Sequence, residues 1–100
     1  MATMTDAQIR LLARVASWTK GYSVNQYGTR MPTMRVLWRL RLVEPREVFS
    51  RHEQENVWRQ FATDAGIAEL RRLATDATLD KHTAQRVREA LADVDAPRRK

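Results

Sequence analysis

The sequence predicts a mainly α-helical domain with one small β-hairpin, an α+β fold. In several segments apolar residues recur every three or four positions, which is the spacing of one face of a helix. Two shorter segments, residues 42–49 and 57–62, carry Val, Phe and Trp and are separated by a stretch without any apolar residue. One hundred residues with 43% hydrophobic content suffice for a single domain with a modest core.

The first helix begins with a capping box, in which Thr5 is the N-cap and Gln8 the third helical residue. Ile9, Leu12, Val15 and Ala16 form its apolar face, and we expect it to run to about Trp18. We expect Gly21 to end this helix. A short second helix is predicted over residues 23–27, ended by a glycine at position 28.

The third helix is predicted over residues 32–41 and is basic. Pro32 suits a first helical turn, because N–H groups in that turn form no hydrogen bond within the helix and proline has no N–H. Met34, Leu37 and Leu40 recur at helical spacing and are expected to face the core. The exposed side would then carry two arginines one turn apart, Arg35 and Arg39.

The two strands should form a hairpin with a polar tip over residues 50–56. Pro45 restricts the first strand to an edge or a bulge, since proline has no N–H to donate to a ladder. Among the tryptophans, Trp18 and Trp58 are expected in the core, and Trp38 in the core or at an interface.

Another helix should follow, capped by Thr63, with Ile67, Leu70 and Leu73 as its buried stripe. After a break over residues 75–80, a last helix presents an apolar stripe, formed by Val87, Ala90, Leu91 and Val94. This stripe either packs on the first helix or pairs with the same helix of a second chain, and we expect a homodimer slightly more than the alternative. The chain thus divides into residues 1–74, a C-terminal helix over 75–96, and a basic tail over 97–100.

Charge is distributed unevenly along the chain. The formal net charge is +6, and no carboxylate occurs between Asp6 and Glu44. That interval holds seven basic residues: Arg10, Arg14, Lys20, Arg30, Arg35, Arg39 and Arg41. A basic half of this kind favours a polyanionic partner such as a phosphate backbone.

Other function classes find little support in the residues. The chain has no cysteine, and the His-Glu at positions 52 and 53 lacks the second histidine and the helix of a zinc-protease motif. No nucleophile arrangement or glycine-rich phosphate loop can be assembled. We therefore expect neither an enzyme nor a metal, cofactor or small-molecule ligand. Without a membrane-length apolar run or a signal-peptide layout, a cytoplasmic protein is expected.

Two motifs resemble the winged helix-turn-helix family of DNA-binding proteins. Residues 37–43 are similar to a Leu-x-x-x-Gly-Leu-Val pattern between the recognition helix and the wing. Residues 63–70 are similar to the Thr-x-x-Gly-x-x-x-Leu pattern that follows the wing. With the first helix, the likeness covers roughly residues 5–73. One position departs from the pattern, because Arg41 replaces the usual glycine, and a left-handed cap there costs a residue with a Cβ about 1 kcal/mol.

The resemblance implies a small transcriptional regulator that binds double-stranded DNA. The third helix would enter the major groove and the wing would contact the backbone. The implied DNA-binding residues are Arg30, Thr33, Arg35, Arg39, Arg51 and His52. The alternative is a winged-helix interaction module, an adaptor or inhibitor without DNA binding of its own, which would hold an acidic or DNA-mimicking partner through Trp38, Arg39 and the wing glutamates Glu53 and Glu55.

Overall fold

The computed structural model describes residues 4–24 and 29–96 and has an α+β fold. In these residues lie four helices and one two-stranded antiparallel hairpin. Their order is α1 (Asp6–Ser17), α2 (Met31–Arg39), β1 (Val43–Ser50), β2 (Glu55–Ala62), α3 (Asp64–Leu73) and α4 (Lys81–Asp95). The mixed fold class predicted from the sequence is confirmed at this level. The predicted short helix over residues 23–27 and the basic tail fall largely or wholly outside the described residues.

Helix α1 lies at the centre of the fold. It begins with the predicted capping box, in which the Thr5 hydroxyl accepts from the Gln8 N–H and the Gln8 side chain accepts from the Thr5 N–H. It contacts α2, α3, α4 and β2, and this explains why its buried face is wider than a single stripe. Leu11 and Ala13 are buried beside the four residues predicted from periodicity.

The hairpin pairs Val43 with Ala62 at its base and Ser50 with Glu55 at its tip. On its other edge β2 forms an isolated antiparallel bridge, in which Tyr22 and Gln60 exchange both backbone hydrogen bonds at 2.9 Å. Because both backbone groups of Gln60 point to Tyr22, its pair with Pro45 across the hairpin is one without hydrogen bonds. Pro45 therefore loses no ladder bond, and its strand lies at the edge, which is one of the two positions predicted for it.

Three apolar side chains predicted in the core are exposed instead. Trp18 is 44% exposed because it caps the C-terminus of α1, beyond the last buried turn. Leu40 is 49% exposed because α2 ends at Arg39 and leaves it as the cap residue. Trp58 is 63% exposed because it lies toward the hairpin tip, opposite Glu47 and beyond the part of the strand that the core covers. The core assignments of these three residues were wrong.

Helix α4 packs within the chain, mainly against α1 and also against α3. Asp80 caps it by accepting from the Thr83 N–H at 3.1 Å. Val87 and Ala90 are fully buried, whereas Leu91 and Val94 are half-buried. Intramolecular packing was the alternative to a dimer helix, so the apolar stripe by itself no longer requires a second chain, and dimerisation stays a prediction.

None of the described helices combines the length and the apolar character that crossing a membrane would take.

Candidate nucleic-acid interface

Helix α2 closes with a left-handed residue although glycine is absent there. Arg41 has φ +59°. Its N–H donates to the Trp38 carbonyl, and the Leu42 N–H donates to the Leu37 carbonyl, both at 3.0 Å. These two bonds are the Schellman arrangement, which satisfies the carbonyls at a helix end. The helix thus ends as it would with glycine, with the strain carried by Arg41.

The two family-like motifs meet in space just beyond that cap. The Thr63 N–H donates to the Leu42 carbonyl at 3.0 Å, and the Thr63 hydroxyl donates to the Arg41 carbonyl at 2.7 Å. A Cβ on Gly66 would lie 2.1 Å from the Leu42 oxygen, so only glycine allows α3 to approach this closely. We call this junction of Arg41, Leu42, Thr63 and Gly66 the seam, because it fixes the end of α2 against the start of α3.

Gln60 of β2 is connected to both ends of α2. Its side-chain oxygen accepts a 2.7 Å hydrogen bond from Trp38 Nε1, in the last turn of the helix. Its backbone is paired with Tyr22, whose buried hydroxyl lies 2.6 Å from the Thr29 hydroxyl, just before the helix begins. The hairpin therefore positions α2 at its entrance and at its exit.

The outer face of α2 carries the two arginines predicted to bind DNA. Met34 and Leu37 are fully buried on the inner face, and Arg35 and Arg39 are exposed on the opposite one. Four residues of helix advance about 6 Å, so the two guanidinium groups lie roughly one turn apart. Within residues 4–24 and 29–96, neither arginine forms an ion pair. Both are free to bind an anion from outside the fold.

The remaining predicted residues flank this face on two sides. Arg30, exposed, is the N-cap residue of α2, and Thr33 is half-buried in its first turn. Trp38, on the opposite flank of the helix, faces the hairpin. At the hairpin tip, Arg51 and His52 are exposed in the loop between the strands. The six predicted residues thus lie in two places, on α2 with its N-cap residue and in the loop at the hairpin tip.

The hairpin tip is electrostatically mixed. Glu53 lies 3.9 Å from the Arg59 guanidinium, which compensates one of the two glutamates at the hairpin tip. Glu55 is exposed and faces Ser50 across the hairpin. Arg51 is the one arginine or lysine among residues 51–54 and lies near two glutamates, so we expect the tip to attract phosphate less than the α2 face does.

Beside the first turn of α2 lies an open groove of about 540 Å³ between α1 and α4. Sequence reasoning did not predict it. Its lining includes four arginines: Arg10 and Arg14 from α1, Arg30 from the N-cap of α2, and Arg86 from α4. Two carboxylates of α4 also line it, Glu89 and Asp93. Thr33 also lines it, so the groove is continuous with the start of α2. The spacing of Arg10 and Arg14 on the polar side of α1 was visible in the sequence, but their approach to α2 and α4 was not.

Two arginines of α3 are paired, in contrast to Arg35 and Arg39. Arg71 on α3 donates two hydrogen bonds to Asp95 on α4, at 2.7 and 3.0 Å, and Arg72 pairs with Glu69 one turn earlier. The hydrogen bonds from Arg71 hold the pKa of the Asp95 carboxyl below its ordinary value. These arginines are already neutralised within the fold.

No group of three or more His, Asp and Glu residues suited to a metal ion occurs in the described part of the chain. The chain matches no family model, no curated protein and no solved structure.

Proposed function

We propose that this chain is a winged helix-turn-helix protein that binds double-stranded DNA, with α2 in the major groove and the hairpin as the wing, and that it acts as a small transcriptional regulator. The observation that carries the proposal is the pair Arg35 and Arg39, exposed on the outer face of α2 and unpaired in the described residues. Guanidinium groups bind guanine edges and phosphates with two parallel hydrogen bonds.

The seam supports the proposal independently of charge. The two motifs that resemble the winged family contact each other there, because the Thr63 N–H donates to the Leu42 carbonyl. An α-helix about 10–12 Å across fits a major groove of about 12 Å. Its exposed arginines would then face the base edges.

The test is fluorescence anisotropy of the purified protein with a mixed-sequence duplex, titrated over a salt series. We expect binding that weakens steeply as salt rises. In Arg35→Ala/Arg39→Ala the affinity should fall by about tenfold for each arginine, with an unchanged melting temperature. Arg71→Ala/Arg72→Ala is the matched control, since it removes the same charge from arginines that are paired within the fold. Absence of binding at low salt, or equal losses in both variants, would overturn the proposal.

One observation favours the alternative, a protein-interaction module. Phe49 and Trp58 are 61% and 63% exposed, and the strand register places both on the same face of the hairpin. Exposed aromatic side chains of this size are typical of protein interfaces. This function predicts no DNA affinity at low salt, together with binding of an acidic partner protein that Phe49→Ala/Trp58→Ala abolishes.

A further inference from the structure

The groove between α1 and α4 shares Arg30 and Thr33 with the proposed interface, but its residues on α1 and α4 have no role there. Its four arginines exceed its two carboxylates by two positive charges, with His82 taken as neutral. In the described parts of the chain none of Arg10, Arg14, Arg30 and Arg86 forms an ion pair. A concave surface with a net positive charge concentrates anions.

The position of the groove relative to α2 favours a nucleic-acid backbone as the anion. Helical residues advance by about 100° each, so Thr33 and Trp38 lie on opposite flanks of the face that carries Arg35 and Arg39. Trp38 contacts β2, and Thr33 lines the groove. A helix that fills a major groove has one phosphate backbone along each flank. The hairpin would meet one of these strands, and the groove would meet the other.

We infer that the groove is a second phosphate-contact site, in which Arg10, Arg14, Arg30 and Arg86 hold the sugar–phosphate backbone of the strand on the Thr33 flank of α2. The inference rests on the proposed DNA binding and extends it to α1 and α4. Arg10 and Arg14, about 6 Å apart along one face of α1, contact phosphate oxygens. Because these contacts carry no base information, they strengthen binding to every sequence alike.

The open form of the groove fits a polymer better than an enclosed small molecule. It is a surface channel between two helices, and its residues include the exposed Arg30 at the entrance to α2. The hairpin tip offers a single arginine beside two glutamates. The groove therefore supplies more of the backbone attraction than the tip does.

The experiment compares the salt dependence of DNA binding among variants of the full chain. In Arg10→Gln/Arg14→Gln the slope of log affinity against log salt should become shallower by about 1.8, since each lost phosphate contact changes it by about 0.9. The loss of affinity should be the same for unrelated duplex sequences. Arg10→Lys/Arg14→Lys keeps the charges and should restore most of the slope. Thermal melts of all variants establish that they are folded.

Lys81→Gln/Arg88→Gln is the charge-matched control, because both residues are exposed on α4 and line a separate shallow depression away from α2. It should leave the slope near that of the wild type. If the wild type binds DNA but Arg10→Gln/Arg14→Gln has the wild-type slope, the inference fails while the proposed function stands. Equal slope changes in the control would also overturn it, because they would reflect net charge alone.

A free small anion is the remaining outcome. Inorganic pyrophosphate is titrated into the protein without DNA, and binding is followed by calorimetry. Binding that Arg10→Gln/Arg14→Gln abolishes, combined with an unchanged DNA slope in that variant, would assign the groove to a free phosphorylated ligand and overturn the backbone contact.

Discussion

The seam and the outer face of α2 are adjacent and serve opposite purposes. At the seam, the Leu42 carbonyl accepts a hydrogen bond from the Thr63 N–H and lies against Gly66. The carbonyl is therefore satisfied, and there is no space for a side chain at position 66. One turn away, Arg35 and Arg39 contact no carboxylate of the described chain. We therefore expect substitutions at the seam to change the free energy of unfolding, and substitutions on the outer face to change affinity for a partner.

The largest expected effect at the seam is that of Gly66→Ala. The added Cβ would lie 2.1 Å from a backbone oxygen that is itself fixed by a hydrogen bond. Relief requires α3 to move away from the end of α2, and we expect the free energy of unfolding to fall by about 3 kcal/mol. Urea denaturation followed by circular dichroism measures it. Ala65→Ser, an exposed position in the same turn, is the control and should change stability by less than about 0.5 kcal/mol.

Two tryptophans with different surroundings give the next prediction. Trp38 lies between the seam and the outer face of α2, whereas Trp58 lies on the hairpin, away from both. Trp38→Phe removes the donor to the buried Gln60 side chain and leaves an unsatisfied oxygen, at a cost of about 2 kcal/mol in the free energy of unfolding. Trp58→Phe changes a side chain that is 63% exposed and should be nearly neutral. Equal effects in the two denaturation curves would contradict the different roles assigned to these tryptophans.

Substitution of Arg41 by glycine should give the smallest change in the free energy of unfolding, and this change should be a gain. The left-handed φ of +59° at Arg41 strains a residue with a Cβ. Arg41→Gly should therefore raise the free energy of unfolding by about 0.5–1 kcal/mol, since the relief of strain is only partly offset by the greater freedom of glycine in the unfolded chain. Arg41→Ala keeps the Cβ and loses the charge, and it should bring no gain. A gain in both variants would trace the effect to charge repulsion among the arginines instead.

Local features of the sequence were sufficient to predict most of the elements. Caps such as Thr5 and Thr63 act on the next turn of the same helix, so their roles follow from neighbours in the chain. Element boundaries moved by one or two residues. The hairpin and its edge proline followed from residue type and from the polar stretch between the strands.

Features that depend on how distant segments meet were not predicted. The exposure of Trp58 depends on how far the hairpin extends past the core, and the bridge from Tyr22 to Gln60 joins residues far apart in sequence. The groove combines residues of α1 and α4 with the start of α2. Periodicity reports which side of a helix is apolar, but it does not report which polar sides are brought together.

The double attachment of α2 to Gln60 has a consequence for the thermodynamics of recognition. A helix held at its exit by Trp38 and at its entrance through Tyr22 and Thr29 has little freedom to rotate relative to the hairpin. Docking onto a surface then requires little additional ordering of these two elements, so little conformational entropy is lost on association. The same rigidity limits adaptation: a partner whose shape does not match the fixed angle between helix and hairpin must deform itself, and the protein would select partners by the energy of that deformation.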